Sequence, residues 1–471
     1  MSETPPGPKG EPLFGSSRRY ARDPFSFISA LEETYDDVAL FDMGPMDTYM
    51  VTDPTDIERV LVSEADTFRK PDFQNDALGD LLGDGLLLSE GDTWQQQREL
   101  ANPAFQMSRL MGMADRVTGH AESMVDGWSD GRTINAEAEM ARVTLNVILD
   151  LMMGVELSDE RVQTVQDQLE PLGRRFEPDP LRFAMPEWVP MPGDEEFEAA
   201  VDNLDAVLDE IIETRRGTEG VEGVDQVSQA SGEGGPPMDF LSVLLRAQNR
   251  GEQSAQQLRD EMMTMLLAGH DTTALTLTYT WFLLSEHPEA ERRVQQEVDE
   301  VLDSEGQRPS DSAAKPHNGD RPGMDHVREF EYLEWVINEA MRLYPPVFTI
   351  FREATEPVEL GGYQVPSGAT IMLPQWGVHR SERYWDDPET FDPERFSPDR
   401  RSDRPRFAFF PFGGGPRHCI GKHLSLLEAK LIVATVVSEY ELDFQGDAPL
   451  ELMPSLTMHP RQTMEMELVE R

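Results

Sequence analysis

The sequence predicts a mainly α-helical fold with a minor β region. The longest helical pattern runs without interruption from Ser254 to Glu286, 33 residues that would span roughly 50 Å. Helical patterns also run from Thr93 to about Arg215 and from Gly421 to Tyr440. Short β-like segments are concentrated after Pro346, so the strands form the smaller part of the fold.

The N-terminal region combines short helices with a hairpin. Pro24–Tyr35 has the pattern of an amphipathic helix, and Val38–Met43 with Tyr49–Val51 predicts a small β-hairpin. Asp53-Pro54 provides an N-cap and a first-turn proline for a helix through Leu61. Residues 71–90 are rich in leucine and are predicted to be a partly covered loop.

The 471 residues are expected to form a single domain. Length alone would suggest about three domains. However, the sequence contains no Pro/Gly/Ser linker long enough to separate three cores. Residues 1–23 read as a proline-rich arm, and 216–237 and 304–325 as acidic surface loops. Later strands are predicted at Val358–Val365 and Thr370–Leu373.

The chain is strongly acidic. It has 89 acidic and 41 basic residues, a net charge of −48, with only five lysines: Lys9, Lys70, Lys315, Lys422 and Lys430. Such a charge argues against nucleic acid and anionic membranes as partners. An acid-rich, lysine-poor chain is typical of halophiles, whose cytosolic salt screens the repulsion. No apolar run reaches a membrane span and no signal peptide is recognisable, which predicts a cytoplasmic protein.

Cys419 is the single cysteine, in the run Phe412-Gly413-Gly414-Gly415-Pro416-Arg417-His418-Cys419-Ile420-Gly421. It can make one thiolate bond to a metal that something else already holds. Its glycines would allow positive φ and close approach to a flat ligand, and the following helix start would favour the thiolate. The alternatives are a free buried cysteine, or a metal site with His423 that lacks nearby further ligands.

This run, Phe-Gly-x-Gly-x-Arg-x-Cys-x-Gly, resembles the haem-binding loop of the cytochrome P-450 superfamily. The resemblance implies the single-domain cytochrome P-450 fold and haem b as the cofactor. It also implies that Cys419 is the axial ligand of the haem iron. Phe412 and Arg417 would contact the haem, Arg417 as a cation for an acidic group.

A second motif, Ala268-Gly269-His270-Asp271-Thr272-Thr273, lies midway along the longest helix. Glycine, an acid and β-branched residues lower helix propensity, and such local conflicts mark candidate functional sites. The motif resembles the acid–alcohol pair of the superfamily. That resemblance implies that Gly269 makes room for dioxygen, that Thr272 offers it a hydroxyl and that Asp271 supplies protons. The alternative is a threonine-rich buried helix bent at Gly269.

Three further motifs resemble elements of the superfamily. Glu339-x-x-Arg342 with Pro393-Glu394-Arg395-Phe396 implies a buried ion-pair cluster that braces the cysteine loop. Trp94-x-x-x-Arg98 places both side chains on one helix face, where they would meet a haem propionate. Arg352 has the spacing of another propionate arginine. The alternative for Arg98 is a solvated surface position.

Together these motifs imply a haem-thiolate monooxygenase that inserts one oxygen atom from O2 into a small apolar substrate. Fatty acids, terpenoids and other isoprenoids all fit such a pocket. The resemblance leaves a peroxide-driven enzyme on the same fold, or a haem sensor without turnover, as alternatives. Retention of Asp271-Thr272 argues against both. The expected substrate contacts are Leu87, Ala268, Phe348, Thr349 and Leu456.

No reductase module is visible in the sequence, so a separate electron donor is implied, a ferredoxin with its reductase. Residues 395–423 carry seven basic and two acidic side chains in a chain at −48. Opposite charge steers encounter between partners. This segment therefore predicts a basic docking patch for an acidic donor, formed by Arg400, Arg401, Arg404, Arg406 and Lys422. The alternative is a chance cluster of solvated arginines.

Overall fold

A computed structural model describes residues 4–179, 189, 191–219, 239–303 and 321–471. The predicted class, mainly α with a minor β region, is confirmed. The helices described are α1 (Ser17–Arg22), α2 (Pro24–Thr34), α3 (Pro54–Glu58), α4 (Asp72–Leu82), α5 (Gly91–Ala101), α6 (Met107–Leu110), α7 (Ala114–Val125), α8 (Ala136–Ile148), α9 (Asp159–Arg175), α10 (Asp194–Glu219), α11 (Phe240–Asn249), α12 (Ala255–Glu286), α13 (Pro288–Asp303), α14 (Met324–Val327), α15 (Glu331–Leu343), α16 (Gln375–Val378), α17 (Pro398–Arg401) and α18 (Lys422–Val437).

The strands form small sheets around the helices. They are β1 (Val38–Met43), β2 (Met46–Val51), β3 (Phe68–Arg69), β4 (Thr133–Asn135), β5 (Ile350–Ala354), β6 (Val358–Leu360), β7 (Tyr363–Val365), β8 (Thr370–Leu373), β9 (Tyr440–Phe444), β10 (Leu452–Pro454), β11 (Met458–Pro460) and β12 (Glu465–Glu470). One sheet has the order β1-β2-β8-β5-β3, with β2 and β8 parallel and its other pairs antiparallel. β4, β12 and β9 form a second sheet, and β6–β7 and β10–β11 form hairpins.

The longest helix, α12, is the centre of the core. The side chain of Ser254 accepts from the N–H of Gln257, and the side chain of Gln257 accepts from the N–H of Ser254, a capping box that starts the helix. Most of its 32 residues are buried, and α12 contacts α8, α15 and α18. It is therefore fixed from several sides and can hold side chains at defined positions.

The predicted loop at residues 71–90 is wrong in its first half, where α4 forms. Leu78, Leu81 and Leu82 are buried on one face of this helix. The helix ends at Gly83, which has a φ of +49°. The leucines belong to helical periodicity rather than to a covered loop, because the 3- and 4-residue spacing brings them onto the core.

The predicted terminal arm and acidic loops are only partly described. Residues 1–23 include α1, whose Tyr20 is buried, and the backbone N–H of Leu40 donates to the carbonyl of Pro6. α10 continues to Glu219, so the first four residues of the predicted 216–237 loop are helical. Residues 220–238 and 304–320 lie outside the described residues. Among the helices described, none combines the length and apolar character needed to cross a bilayer.

Candidate active site

The cysteine loop is a tight turn that precedes α18. The backbone N–H of Cys419 donates to the carbonyl of Phe412 at 2.9 Å, which closes the loop. Gly413 and Gly415 adopt φ values of +66° and +64°, the left-handed region that favours glycine. The predicted positive φ is therefore found at two of the glycines.

Close packing of the loop on protein, rather than on a flat ligand, explains two of the glycines. A Cβ on Gly415 would lie 1.9 Å from the carbonyl oxygen of Leu61. A Cβ on Gly414 would lie 2.5 Å from the ring of Phe407. These contacts hold the loop against the helical turn Arg59–Ser63 and fix the position of Cys419.

The thiol of Cys419 is accessible, although it sits in a crowded setting. Burial raises its pKa, and the N–H groups of Gly421 and Lys422 with the Arg98 guanidinium only partly oppose this. The N–H groups at the start of α18 thus favour the thiolate, as predicted, but the effect of burial on the Cys419 pKa is larger. Ala268, in the middle of the buried α12, is also exposed. Both residues therefore keep accessible surface, as the walls of a ligand cavity would require.

Three cations, Lys70, Arg352 and Arg417, form what we call the cationic cluster. Arg417 donates to the carbonyl of Ser89 at 3.0 Å and pairs with the carboxylate of Glu90. The backbone N–H of Lys70 donates to Glu90 at 3.1 Å, and its Nζ to the carbonyl of Ser89 at 3.4 Å. Neither Lys70 nor Glu90 was predicted as a site residue. Lys70 is distant from the motifs in sequence, whereas Glu90 lies only four positions before Trp94 and was overlooked.

The cationic cluster carries more positive charge than its described surroundings balance. Burial, then Arg417, lowers the pKa of Lys70 to about 6, and burial with Arg417 lowers the pKa of Arg352 to about 10. Glu90 opposes both shifts, and Glu261 also opposes the shift of Lys70. Two more carboxylates at this position would be favourable, which fits the two propionates of haem b.

Trp94 and Arg98, predicted to share a propionate, contact the cysteine loop directly. Arg98 donates to the carbonyl of His418 at 3.1 Å and lies 3.2 Å from its Nε2. The guanidinium of Arg417 stacks 4.4 Å from the Trp94 ring centroid. Helix α5 therefore supports the cysteine loop through both side chains.

On α12, the hydroxyl of Thr272 donates to the carbonyl of Ala268 at 3.1 Å. A Cβ on Gly269 would lie 2.8 Å from Cδ1 of Ile148. Gly269 therefore permits close contact with α8, and its expected role of making room for dioxygen is not supported. The hydroxyl of Thr273 donates to Ser425 at 3.0 Å, which links α12 to α18 behind the cysteine.

Asp271 belongs to a hydrogen-bonded chain that the sequence did not reveal. The hydroxyl of Thr457 donates to its Oδ2 at 2.7 Å, and Nε2 of His459 lies 2.9 Å from that hydroxyl and 3.6 Å from Oδ2. Nδ1 of His459 lies 2.9 Å from Oε1 of Glu137. We call Asp271, Thr457, His459 and Glu137 the acid network.

The predicted substrate contacts differ in how exposed their side chains are. Leu87 and Leu456 are 42% and 43% exposed, and Thr349 is half-buried. Phe348 is 5% exposed, and its ring packs against Phe25 with centroids 5.2 Å apart. This packing argues against a substrate contact for Phe348, because its apolar surface is already covered by α2.

The predicted ion-pair cluster is present and fully buried. Nε and a terminal nitrogen of Arg342 donate to the two Glu339 oxygens at 2.7 and 2.8 Å, and Arg395 lies 3.4 Å from Glu339. Arg342 also donates to the carbonyl of His379 at 2.9 Å. The pair is thus satisfied by carbonyls of the segment that leads toward the cysteine loop.

The predicted basic patch is smaller than expected. Arg401, Arg406 and Lys422 are exposed, and Arg400 is exposed but pairs with Asp392 at 2.7 Å. The prediction that Arg404 faces solvent as part of this patch is wrong. It stacks 3.6 Å from the Trp385 ring centroid, and burial lowers its pKa to about 10. The flat guanidinium of Arg404 packs on the Trp385 ring and does not contribute to the exposed patch.

Cys419 and His423 do not form part of any larger ligand set in the residues that the structure describes. That part of the chain has no group of three or more His, Cys, Asp or Glu arranged to hold a metal ion. This disfavours the alternative of a metal site built from side chains alone.

Comparison with known proteins identifies the family. A sequence model described as Cytochrome P450 matches residues 5–465. Cyclooctatin synthase from Streptomyces melanosporofaciens is 29% identical over 98% of this chain and 92% of its own length. Cyclooctat-9-en-7-ol 5-monooxygenase from the same organism is 29% identical over 92% and 88% of the two chains. Pentalenene oxygenase from Streptomyces avermitilis is 29% identical over 97% and 95%. A match along nearly the whole chain, together with the cysteine loop described above, means that the protein belongs to the cytochrome P450 family and is a haem b monooxygenase.

Proposed function

We propose that Cys419 is the axial thiolate and that Arg98, Trp94 and the cationic cluster hold the propionates, with Phe412 beside the ring. The observation that carries this proposal is the pairing of an accessible thiol in a rigid loop with three poorly balanced cations. Haem b, when bound, supplies the redox chemistry that activates dioxygen. The protein orients it and excludes competing groups from the thiol side.

Asp271 and Thr272 are proposed to handle protons on the opposite side of the cavity. The reaction consumes two protons and two electrons as one oxygen atom enters the substrate and the other leaves as water. The Thr272 hydroxyl presently donates to the Ala268 carbonyl, so a local rotation frees it to donate into the cavity. The Asp271 carboxylate connects the same helix turn to the protein exterior through the acid network.

The proposed substrate is a small apolar molecule that lies near Ala268. Leu87, Thr349 and Leu456 remain the candidate walls, because each keeps accessible surface. The printed names of the relatives make pentalenene and cyclooctat-9-en-7-ol suitable first ligands to test. A shift in the haem spectrum on titration would report their binding.

The proposed electron donor is an acidic ferredoxin with its own reductase. Arg401, Arg406 and Lys422 are exposed on the segment that carries the cysteine, and they stand out in a chain at −48. A halophilic origin, a cytoplasmic location and a single-domain organisation complete the proposal, and they rest on the sequence.

Incubation with labelled dioxygen tests the proposed activity. Purified protein is supplied with a ferredoxin, its reductase, NADH and ligand under ¹⁸O₂, and the product is examined by mass spectrometry. One labelled oxygen per product is expected. Unlabelled product formed only with added hydrogen peroxide would instead support a peroxide-driven enzyme. Ligand binding without NADH-dependent product from any binding ligand would support a sensor.

A further inference from the structure

The acid network joins three separate parts of the fold at one carboxylate. Asp271 lies on α12 and Glu137 in the first turn of α8, whereas Thr457 lies in the turn and His459 in the second strand of the β10–β11 hairpin. The four side chains are about a quarter exposed or less. A set this enclosed has few waters to compensate its charges, so its own members determine which of them are ionised.

The hydrogen bonds of the network run in one consistent direction. An imidazolium at His459 donates from Nδ1 to Glu137 and from Nε2 to the Thr457 hydroxyl, and that hydroxyl donates to Asp271. In this arrangement every donor has an acceptor, and a neutral imidazole would require Glu137 or Asp271 to carry the proton instead. The geometry therefore couples the protonation of His459 to that of the two carboxylates.

We propose that His459 is the counter-ion of Asp271, a positioning residue that keeps this carboxylate ionised and directed toward the C-terminal hairpin. The proposal rests on the proposed proton-handling role of Asp271. It adds a residue to that role, and a second, Glu137, that supports His459 from the other side.

The electrostatic directions agree with this geometry. Burial alone would raise the pKa of Asp271, but His459, with smaller contributions from His270 and the Thr457 hydroxyl, lowers it to about 2. Burial would lower the pKa of His459, whereas Asp271 and Glu137 raise it to about 10. The same two pKa values place Asp271 as a carboxylate and His459 as a cation throughout the neutral range.

Other titratable groups near the network do not replace His459. His270, next to Asp271, is fully buried, and burial lowers its pKa, so it stays neutral. Tyr279 is also fully buried, donates to the carbonyl of Met458 at 2.7 Å, and has its pKa raised well above the ordinary value. Removal of the His459 charge would therefore leave Asp271 buried without a described cation.

Infrared difference spectroscopy of the haem-loaded protein tests the proposal. A protonated carboxylic acid has a C=O stretch that is separate from those of carboxylates. His459→Asn is expected to show such a band near neutral pH, with about half or more of Asp271 protonated, and the band should vanish in His459→Asn with Asp271→Asn. Wild type should lack an Asp271 band, and His459→Arg, which restores a cation, should lack it too. Absence of the band in correctly folded His459→Asn would overturn the proposal.

Glu137→Gln provides a second variant that keeps His459 in place. Histidine labelled with ¹³C reports its titration by NMR in the reduced, carbon-monoxide-bound protein. We expect the His459 midpoint to fall by at least about one pH unit in Glu137→Gln, because one of its two facing carboxylates is lost. An unchanged midpoint, or a wild-type His459 that is neutral near pH 7, would contradict the assignment even if His459→Asn failed to fold.

A pH profile separates positioning from a purely structural contribution. Product formed per NADH should be flat from about pH 5 to about pH 9 in wild type and should gain a titration step in His459→Asn. The infrared result does not depend on turnover. If Asp271→Asn leaves product per NADH unchanged, the proton-handling role fails while the counter-ion assignment is still decided by the band.

Discussion

The cationic cluster and the acid network are both enclosed groups of charged side chains, but they differ in charge balance. Lys70, Arg352 and Arg417 lie near Glu90, and burial, followed by repulsion from Arg417, lowers the pKa values of Lys70 and Arg352. In the acid network, the charge of His459 lies between two carboxylates, and its pKa is raised. With every group ionised, the cationic cluster sets three cations beside Glu90, whereas the acid network sets one cation between two carboxylates and has a net charge of only −1.

This difference indicates what each group does. A cluster with unbalanced cations gains free energy when an anionic ligand arrives, which suits a site for the haem propionates. A network whose charges are nearly balanced gains little from a further anion, and it can hold one arrangement of protons while chemistry occurs nearby. Substitutions in or beside these groups, and changes in the surrounding charge, therefore test the contrast.

The largest effect is expected from Thr272→Ala, which changes the residue next to Asp271 of the acid network. Loss of a positioned proton donor costs about 10²-fold or more in a proton-dependent step. Product per NADH should fall sharply, with the electrons diverted to peroxide or water, while haem content is retained. Thr272→Ser keeps the hydroxyl and serves as the matched control. If both variants couple NADH to product as wild type does, Thr272 has no proton role.

On the cationic side, Lys70→Met should weaken haem retention by about tenfold and remove part of its pH dependence. Without the ligand, burial and Arg417 lower the pKa of Lys70 to about 6, and propionates would raise it. Binding therefore takes up a proton above that pH, and wild-type retention should weaken as pH rises from about 6 to about 9. The rate at which haem transfers to an acceptor protein measures how firmly the haem is retained.

The same lysine predicts an opposite trend for the haem-free protein. Between about pH 6 and about pH 10, the unfolded chain binds a proton at Lys70 that the folded chain does not, so the stability contribution of this residue rises with pH. Lys70→Met should remove that contribution. If haem retention and apo-protein stability follow the same pH trend in wild type, the cluster is not the unbalanced group described above.

Salt should separate the two groups from the overall surface charge. At a net charge of −48, unfolding temperature is expected to rise by at least about 5 °C between low and molar KCl. NaCl at equal ionic strength should act alike, because screening is not ion-specific. The enclosed acid network should keep its His459 midpoint nearly constant. A flat unfolding temperature would contradict the halophile proposal.

The smallest effect is expected at the exposed basic residues beside the cysteine loop. Arg401→Glu with Arg406→Glu should slow the first electron transfer from a ferredoxin by about tenfold at low salt and less in molar salt. Arg292→Glu with Arg22→Glu makes the same charge change at exposed arginines outside this segment and is the control. Equal rates for the two double variants would remove the docking role.

Local patterns in the sequence were sufficient for the helix over Ala255–Glu286, the β1–β2 hairpin and the Glu339–Arg342 pair. Contacts between distant segments were not predictable in the same way. His459 is 188 positions from Asp271 and has no motif around it, and Gly269 is explained by Ile148 on another helix. Arg404 reads as a solvated cation until Trp385 is seen beneath it. Functional groups close together in sequence could be predicted from their motifs, whereas side chains that meet only in the folded protein could not.

The most direct test of the account is the spectrum of the reduced, carbon-monoxide-bound protein, wild type beside Cys419→Ser. Ligation by Cys419 predicts the red-shifted Soret band of a thiolate ligand in wild type and its loss in Cys419→Ser. Ser425→Ala, a substitution within α18, should leave the band unchanged and is the control. A wild-type spectrum typical of histidine ligation, or an unchanged spectrum in Cys419→Ser, would contradict the assignment of Cys419 as the axial ligand.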